Sequence, residues 1–156
     1  FAILQAARLA REGASLAECK AVVERAMPGM GIMITVDTLE FLHRGGRIGG
    51  AQRLLGTALN LKPILEVTGG RIEPVEKVRT RSKAQARMLD IIAERVGDRS
   101  VRLGVVHANN PSDAENLLAQ AVQRMNVVEK MITGVSPVIG THVGPGTVGI
   151  GYVIGK

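Results

Sequence analysis

Apolar and polar positions alternate with helical spacing through the first quarter of the chain. Ile3, Leu4, Ala7 and Leu9 are apolar, Gln5 and Arg8 polar, and Gly13 ends the turn. Ser15 followed by Glu18 is a capping box, so a second helix starts there. Leu16, Cys19, Val22, Val23 and Ala26 form its stripe, and Pro28-Gly29 closes it. The nearly unbroken apolar run from Met30 to Val36 predicts a covered, central strand. Asp37 then reads as an N-cap with Glu40 at N3, opening a short helix over 38–43 that stops at Gly45-Gly46. A further short helix is expected at about 51–59, packing through Leu54, Leu55 and Ala58.

The period then changes. Segments 62–67 and 71–78 flank Thr68-Gly69-Gly70, which predicts a hairpin, and Pro63 and Pro74 favour end or edge positions. Ser82, with Gln85 as its reciprocal cap, opens a long helix whose core face is Ala86, Leu89, Ile92, Ala93 and Val96; Gly97 stops it. A strand at 101–106, a helix at about 112–125, a strand at 127–132, a loop at 136–146 and a last strand at 147–154 complete the chain. The expected inner face of the 112–125 helix is Ala114, Leu117, Leu118, Ala121 and Val122. The prediction is therefore an α/β fold: a two-layer domain with a mixed sheet of about six strands and helices packed on one face.

Composition narrows the class. The chain has 156 residues, 46% of them apolar, but only 2% aromatic, so Val, Ile, Leu, Met and Ala must fill the core. The net charge of +6 admits an anionic partner, yet the cations are dispersed and stacking residues are nearly missing, which argues against a single-strand nucleic-acid platform. The densest basic run, Arg79, Arg81 and Lys83, reads as a solvated helix start. Cys19 has no partner at disulfide or metal spacing and suits a small buried apolar position. No apolar stretch reaches membrane-span length, no secretory leader is visible, and a cytoplasmic location is expected.

Two segments carry candidate chemistry. Residues 41–50 place Arg44 and Arg47 among Gly45, Gly46, Gly49 and Gly50, followed by the expected helix start. That arrangement suits a phosphate or carboxylate, or serves as a structural double turn; it is neither a P-loop nor a dinucleotide fingerprint. Residues 140–146 hold Thr141 and His142 between glycines and Pro145. A histidine so exposed can donate a hydrogen bond to an acid, or it can simply be satisfied within its loop. Ser136 with His142 lacks a nucleophile elbow, His107 reads as a turn or cap residue, and His43, His107 and His142 match no metal-ligand spacing.

The run 37–48 (Asp-Thr-Leu-Glu-Phe-Leu-His-Arg-Gly-Gly-Arg-Ile), with Leu54-Leu55-Gly56 and Leu61-Lys62-Pro63-Ile64-Leu65, resembles the middle of DegV-family proteins. Residues 137–146 (Pro-Val-Ile-Gly-Thr-His-Val-Gly-Pro-Gly) resemble their carboxyl-terminal signature, and residues 76–81 and His107-Ala108 fit between in order. The resemblance implies the carboxyl-terminal domain of a two-domain bacterial fatty-acid-binding protein, with residues 1–27 as a helical junction to an amino-terminal domain. It implies a carrier that is not itself an enzyme and needs no cofactor or metal. Its partners would be a long-chain fatty acid, held between the domains, and a separate fatty-acid kinase that phosphorylates the carboxyl group.

Carried over by motif, His142 is the residue expected to hold the carboxylate, with Arg47 in the nearby polar network and Thr141 adding a hydroxyl. Val143 stands where the family pattern has Thr or Ser, so one hydroxyl is lost from that network. The alternatives left by the residues themselves are a basic nucleic-acid-binding module, or a fragment of a kinase-like or hydrolytic enzyme.

Overall fold

A computed structural model describes residues 1–56 and 61–155. Six strands form one mixed sheet: β1 (Met30–Thr35), β2 (Lys62–Thr68), β3 (Arg71–Val78), β4 (Val101–His107), β5 (Val127–Gly134) and β6 (Val148–Ile154), in the order β3-β2-β1-β6-β4-β5. Only β4 and β5 run parallel, as a strand–helix–strand crossover requires; the other neighbours are antiparallel. The hairpin between β2 and β3 turns on Gly69 and Gly70, both at positive φ (55° and 75°), the backbone that a two-residue turn demands. Pro74 lies on the edge strand β3, and Pro63 lies in β2 beyond the point where β1 begins to pair.

The mixed six-stranded sheet is the expected one, and the two long helices do share a face. Helices α4 (Arg81–Val96) and α5 (Pro111–Arg124) bury Met88, Leu89, Ile92, Leu117 and Ala121 against Met33, Ile64, Leu103, Val105, Val148 and Ile150. Period-two alternation in the strands leaves Ile32, Ile34, Gly104, Val106, Gly149 and Gly151 on the opposite face. Among the described residues, that face is covered at its ends. At one end Phe1, just before α1 (Ala2–Arg11), lies over Gly104. The neighbouring α2 (Leu16–Ala26) carries the expected capping box, with Ser15 Oγ accepting from Glu18 N at 3.3 Å and Ser15 N donating to Glu18 Oε2 at 2.8 Å. At the other end sit α3 (Glu40–Arg44) and α6 (Pro137–Val143), joined by a second apolar cluster of Ile34, Val36, Leu42, Ile48, Ala51, Leu65, Ala108 and Val143.

Several local expectations are corrected. Asp37 does not cap α3; its carboxylate pairs with Lys62 (3.2 Å) and with Arg81. Arg81 is therefore not a solvated helix start but bridges Asp37 and Asp113 (3.1 Å to the latter). Thr80, not Ser82, caps α4, accepting from Lys83 N, and Gln85 donates instead to Asp113 at 3.0 Å. Where a helix is expected at 51–59, Gly49–Leu54 forms a six-residue 3-10 turn; residues 57–59, Ala58 among them, lie outside the described residues. The segment 136–146 is not all loop: Ser136 accepts from Ile139 N and Pro137 occupies the first turn, so α6 forms there. Val122 faces solvent, not the core.

The close sheet packing depends on glycines. A Cβ on Gly31 would lie 2.7 Å from Cε1 of Tyr152, whose ring lies across that position. Gly31→Ala is expected to destabilise the protein by about 1–3 kcal/mol through overpacking, read as a lower urea midpoint with an unchanged slope.

Candidate functional site

The half-open face of the sheet holds an apolar groove of about 360 Å³. Phe1, Met30, Ile32, Val67, Val106 and Val153 line it. Its floor exists because Gly104 and Gly151 are register partners on β4 and β6. Neither has a side chain to fill the space; the nearest atom to a Cβ built on Gly151 is the Gly104 carbonyl oxygen at 3.9 Å. Ile32 is 47% exposed and Met30 equally so, a high value for apolar strand residues facing a sheet interior. Toward the other end of the strands, Ile34 and Val106 close over Gly149, and Ile34 belongs to the cluster beneath α3 and α6.

His142 sits at that end, on the last turn of α6. Its imidazole lies against Gly45, the residue that ends α3. The Nδ1 atom is buried and meets no hydrogen-bond partner among the described residues. Arg47 reaches the same glycine from another side, donating from Nη1 to the Gly45 carbonyl at 2.8 Å. The two loops singled out in the sequence are thus brought together at one residue. Phe41 secures the junction, because its ring fills the space in which Gly144, at φ 79°, has no side chain.

The other candidates fall differently. Thr141 Oγ1 donates back to the carbonyls of Pro137 (2.9 Å) and Val138 (2.8 Å), so its proton is used within α6 and only its lone pairs remain for a ligand. Val143 points into the apolar cluster, so the hydroxyl it lacks is missing from a core position. His107 Nδ1 accepts from Asn110 N at 3.2 Å and orders the entry to α5, the turn role expected of it. His43 is exposed on α3, and among the described residues no three His, Cys, Asp or Glu side chains gather in a way that could hold a metal.

Sequence reasoning missed the polar network behind the site. Asp113 Oδ2 accepts from Arg81, Gln85 (3.0 Å) and Asn110 (2.9 Å), while Asn110 also reaches the Gly146 carbonyl at 3.4 Å. Gly146, at φ 79°, passes so close to Asp37 and Arg81 that a Cβ has no room. Thr147 Oγ1 donates to Val143 O at 2.9 Å and ties the start of β6 to the end of α6. These contacts hold the segment that follows His142. Burial, the largest influence on Asp113, pushes its carboxyl up, but the hydrogen bonds from Asn110, Gln85 and Arg81 together outweigh it and hold it below its ordinary value.

The family model described as "Uncharacterised protein, DegV family" matches residues 1–155. The chain belongs to the DegV family. A DegV domain-containing protein of Streptomyces coelicolor is 43% identical over 151 residues, 96% of this chain and 54% of that protein. Another from Halalkalibacterium halodurans is 37% identical over 155 residues, covering 99% of this chain and 55% of the relative. Among solved structures, a DegV family protein from Thermus thermophilus, described by its fatty acid binding, superposes with a TM-score of 0.92 at 35% identity, over 98% of this chain and 55% of that one. DegV of Bacillus subtilis, described as a fatty acid binding protein, gives 0.83 at 33% identity, over 99% and 56%. The chain thus spans about half the length of the DegV relatives it matches. No described helix is long and apolar enough to cross a membrane.

Proposed function

We propose that this chain forms the carboxyl-terminal wall of a DegV fatty-acid carrier. The acyl chain lies in the groove over Gly104 and Gly151, and the carboxylate meets His142. The observation that carries this reading is the groove itself: apolar, floored by two paired glycines, and on the same sheet face as the α3–α6 junction. Relatives described as fatty-acid binding support it. An amino-terminal domain closing over the same face would complete the burial, with the helices of residues 1–27 at the junction.

Each methylene removed from water contributes about 0.8 kcal/mol, so the hydrocarbon supplies most of the affinity and the head group the orientation. In this reading His142 donates one hydrogen bond to the carboxylate. Arg47, tied to the Gly45 carbonyl, adds positive charge at the same end, and Thr141 offers at most an acceptor. The carrier aims a carboxylate oxygen outward, and a separate fatty-acid kinase transfers the phosphoryl group to it. The basic nucleic-acid alternative loses ground because, among the described residues, nine cations, Arg81, Arg87 and Arg102 among them, are engaged with carboxylates.

His142→Ala in the full-length gene product is expected to keep its fold and to bind a long-chain fatty acid about 10- to 100-fold more weakly, the effect of losing a hydrogen bond to a charged group. Titration calorimetry reads this directly. Unchanged affinity would reject the head-group role, and an unfolded variant would assign His142 to the scaffold instead.

A further inference from the structure

Gly45 has no conformational reason to be glycine. Its φ of −77° and ψ of −4° are ordinary right-handed backbone, open to any residue. Its neighbour Gly46 differs on both counts: φ is 68°, and a Cβ there would meet nothing within 4 Å. What constrains Gly45 is the space beside it. A Cβ would lie 2.9 Å from Cε1 of His142, closer still to Nδ1, and 3.1 Å from the Phe41 carbonyl oxygen.

We infer that Gly45 is a positioning residue for His142: its bare Cα is the seat of the imidazole, turning Nδ1 inward and leaving Nε2 as the ring's only proton donor. The hydrogen that replaces a side chain on Gly45 points at Nδ1. Because Nδ1 is buried without an acceptor, a proton placed there would be an orphaned donor, whereas a lone pair facing a Cα–H is tolerated. The neutral ring therefore carries its proton on Nε2. The Gly45 N–H donates to the Phe41 carbonyl at 2.9 Å and the Gly45 carbonyl accepts from Arg47, so the seat is itself fixed from both sides. One residue thereby sets the direction of the imidazole donor and anchors the guanidinium beside it. The two glycines of Gly45-Gly46 have separate tasks: the second makes the turn, and the first makes room for a ring.

The inference deepens the fatty-acid reading, in which Nε2–H meets the carboxylate, but its first readout is independent of ligand. In the full-length gene product with ¹⁵N-labelled histidine, the His142 ring nitrogens at neutral pH are expected to show the Nε2–H tautomer. Gly45→Ala is expected to change that signature and to weaken binding of palmitate about tenfold or more, while Gly45→Ala in a His142→Ala background costs no further affinity. Wild-type ring shifts and wild-type affinity in Gly45→Ala would overturn the inference, as would an Nδ1–H tautomer in the unaltered protein. Altered ring shifts together with palmitate affinity that is indifferent to His142→Ala would retain the seat and reject the carboxylate role. If Gly45→Ala fails to fold, recovery of the fold in the double variant supports the seat, and failure of that variant too overturns it.

Discussion

Gly151→Val in the full-length gene product is expected to weaken the proposed fatty-acid binding by about a hundredfold or more while leaving the protein as stable as before, or more so. The position is a β6 strand residue whose register partners are Ile32 on one side and Gly104 on the other. A Cβ there meets only the Gly104 carbonyl, at 3.9 Å, so the backbone accepts a Cβ at this position without a clash. Glycine within a strand is unfavourable by roughly 0.5–1 kcal/mol against residues with a Cβ, and valine suits a pleated surface, so unfolding stability should hold or rise. The added isopropyl group would stand on the groove floor. Displacing about four methylenes from the groove, at ~0.8 kcal/mol each, removes ~3 kcal/mol, which is more than a hundredfold in Kd. Gly104→Ala makes a graded control, since its methyl would make ordinary contact with Phe1 (3.4 Å) and Met131 (3.6 Å) and occupy less of the floor. Calorimetric titration with a long-chain fatty acid, alongside urea unfolding, separates the two effects. Full affinity in a well-folded Gly151→Val would mean that the hydrocarbon lies elsewhere.

Arg81→Met is expected to lower stability by about 1–3 kcal/mol at neutral pH. Removing one member of a fully buried ion pair costs about 3–5 kcal/mol, and the Arg81 side chain is 37% exposed, which calls for a discount. Methionine keeps much of the aliphatic bulk, so the charge is what is tested. The guanidinium joins the end of β1, through Asp37, to the first turn of α5, through Asp113. Without it, Asp113 retains Asn110 and Gln85, and Asp37 retains Lys62.

The sign with pH follows from the lowered Asp113 carboxyl. A depressed carboxylate adds stability that is fully present above its ordinary value of 3.8 and is lost as pH falls through its folded-state value. The deficit of Arg81→Met should therefore be largest at neutral pH and narrow in acid below about 3.8, where the wild type loses the same contribution. Urea unfolding at pH 7 and pH 3 gives the comparison. Equal deficits at both would attribute the cost to packing instead of charge. Because Asn110 and Gly146 belong to the same network, the proposed fatty-acid affinity of the full-length gene product should fall as well, through looser placement of the segment after His142.

Several of the chain's signals were legible because they depend only on near neighbours. The capping box at Ser15 and Glu18, the Gly69-Gly70 turn and the period change after Leu61 are short-range statements of backbone chemistry, and each is present in the fold. The Ser136-Pro137 start of α6 was equally local but was outweighed by Gly140 and Gly144, which lie at the middle and end of a helix of only seven residues. Asp37 and Arg81 show where local reading fails. A carboxylate three residues before Glu40 looks like a cap, and a basic run looks solvated, until a partner 44 residues away competes for both. Their pairing is a consequence of β1 ending beside α4, which no window of neighbouring residues contains.

By itself, the sequence determined the alternation of helix and strand, the family to which the chain belongs and the two glycine-rich segments that are candidates for its chemistry, because periodicity and motif are properties of residues near one another. Only the tertiary structure decided that Gly104 and Gly151 are partners on a groove floor, that Gly45 makes room for His142, and that Asp113 stands behind the loop. Each of these depends on strand register or on the approach of distant elements, and the vacancy a glycine leaves has meaning only when something else comes to fill it.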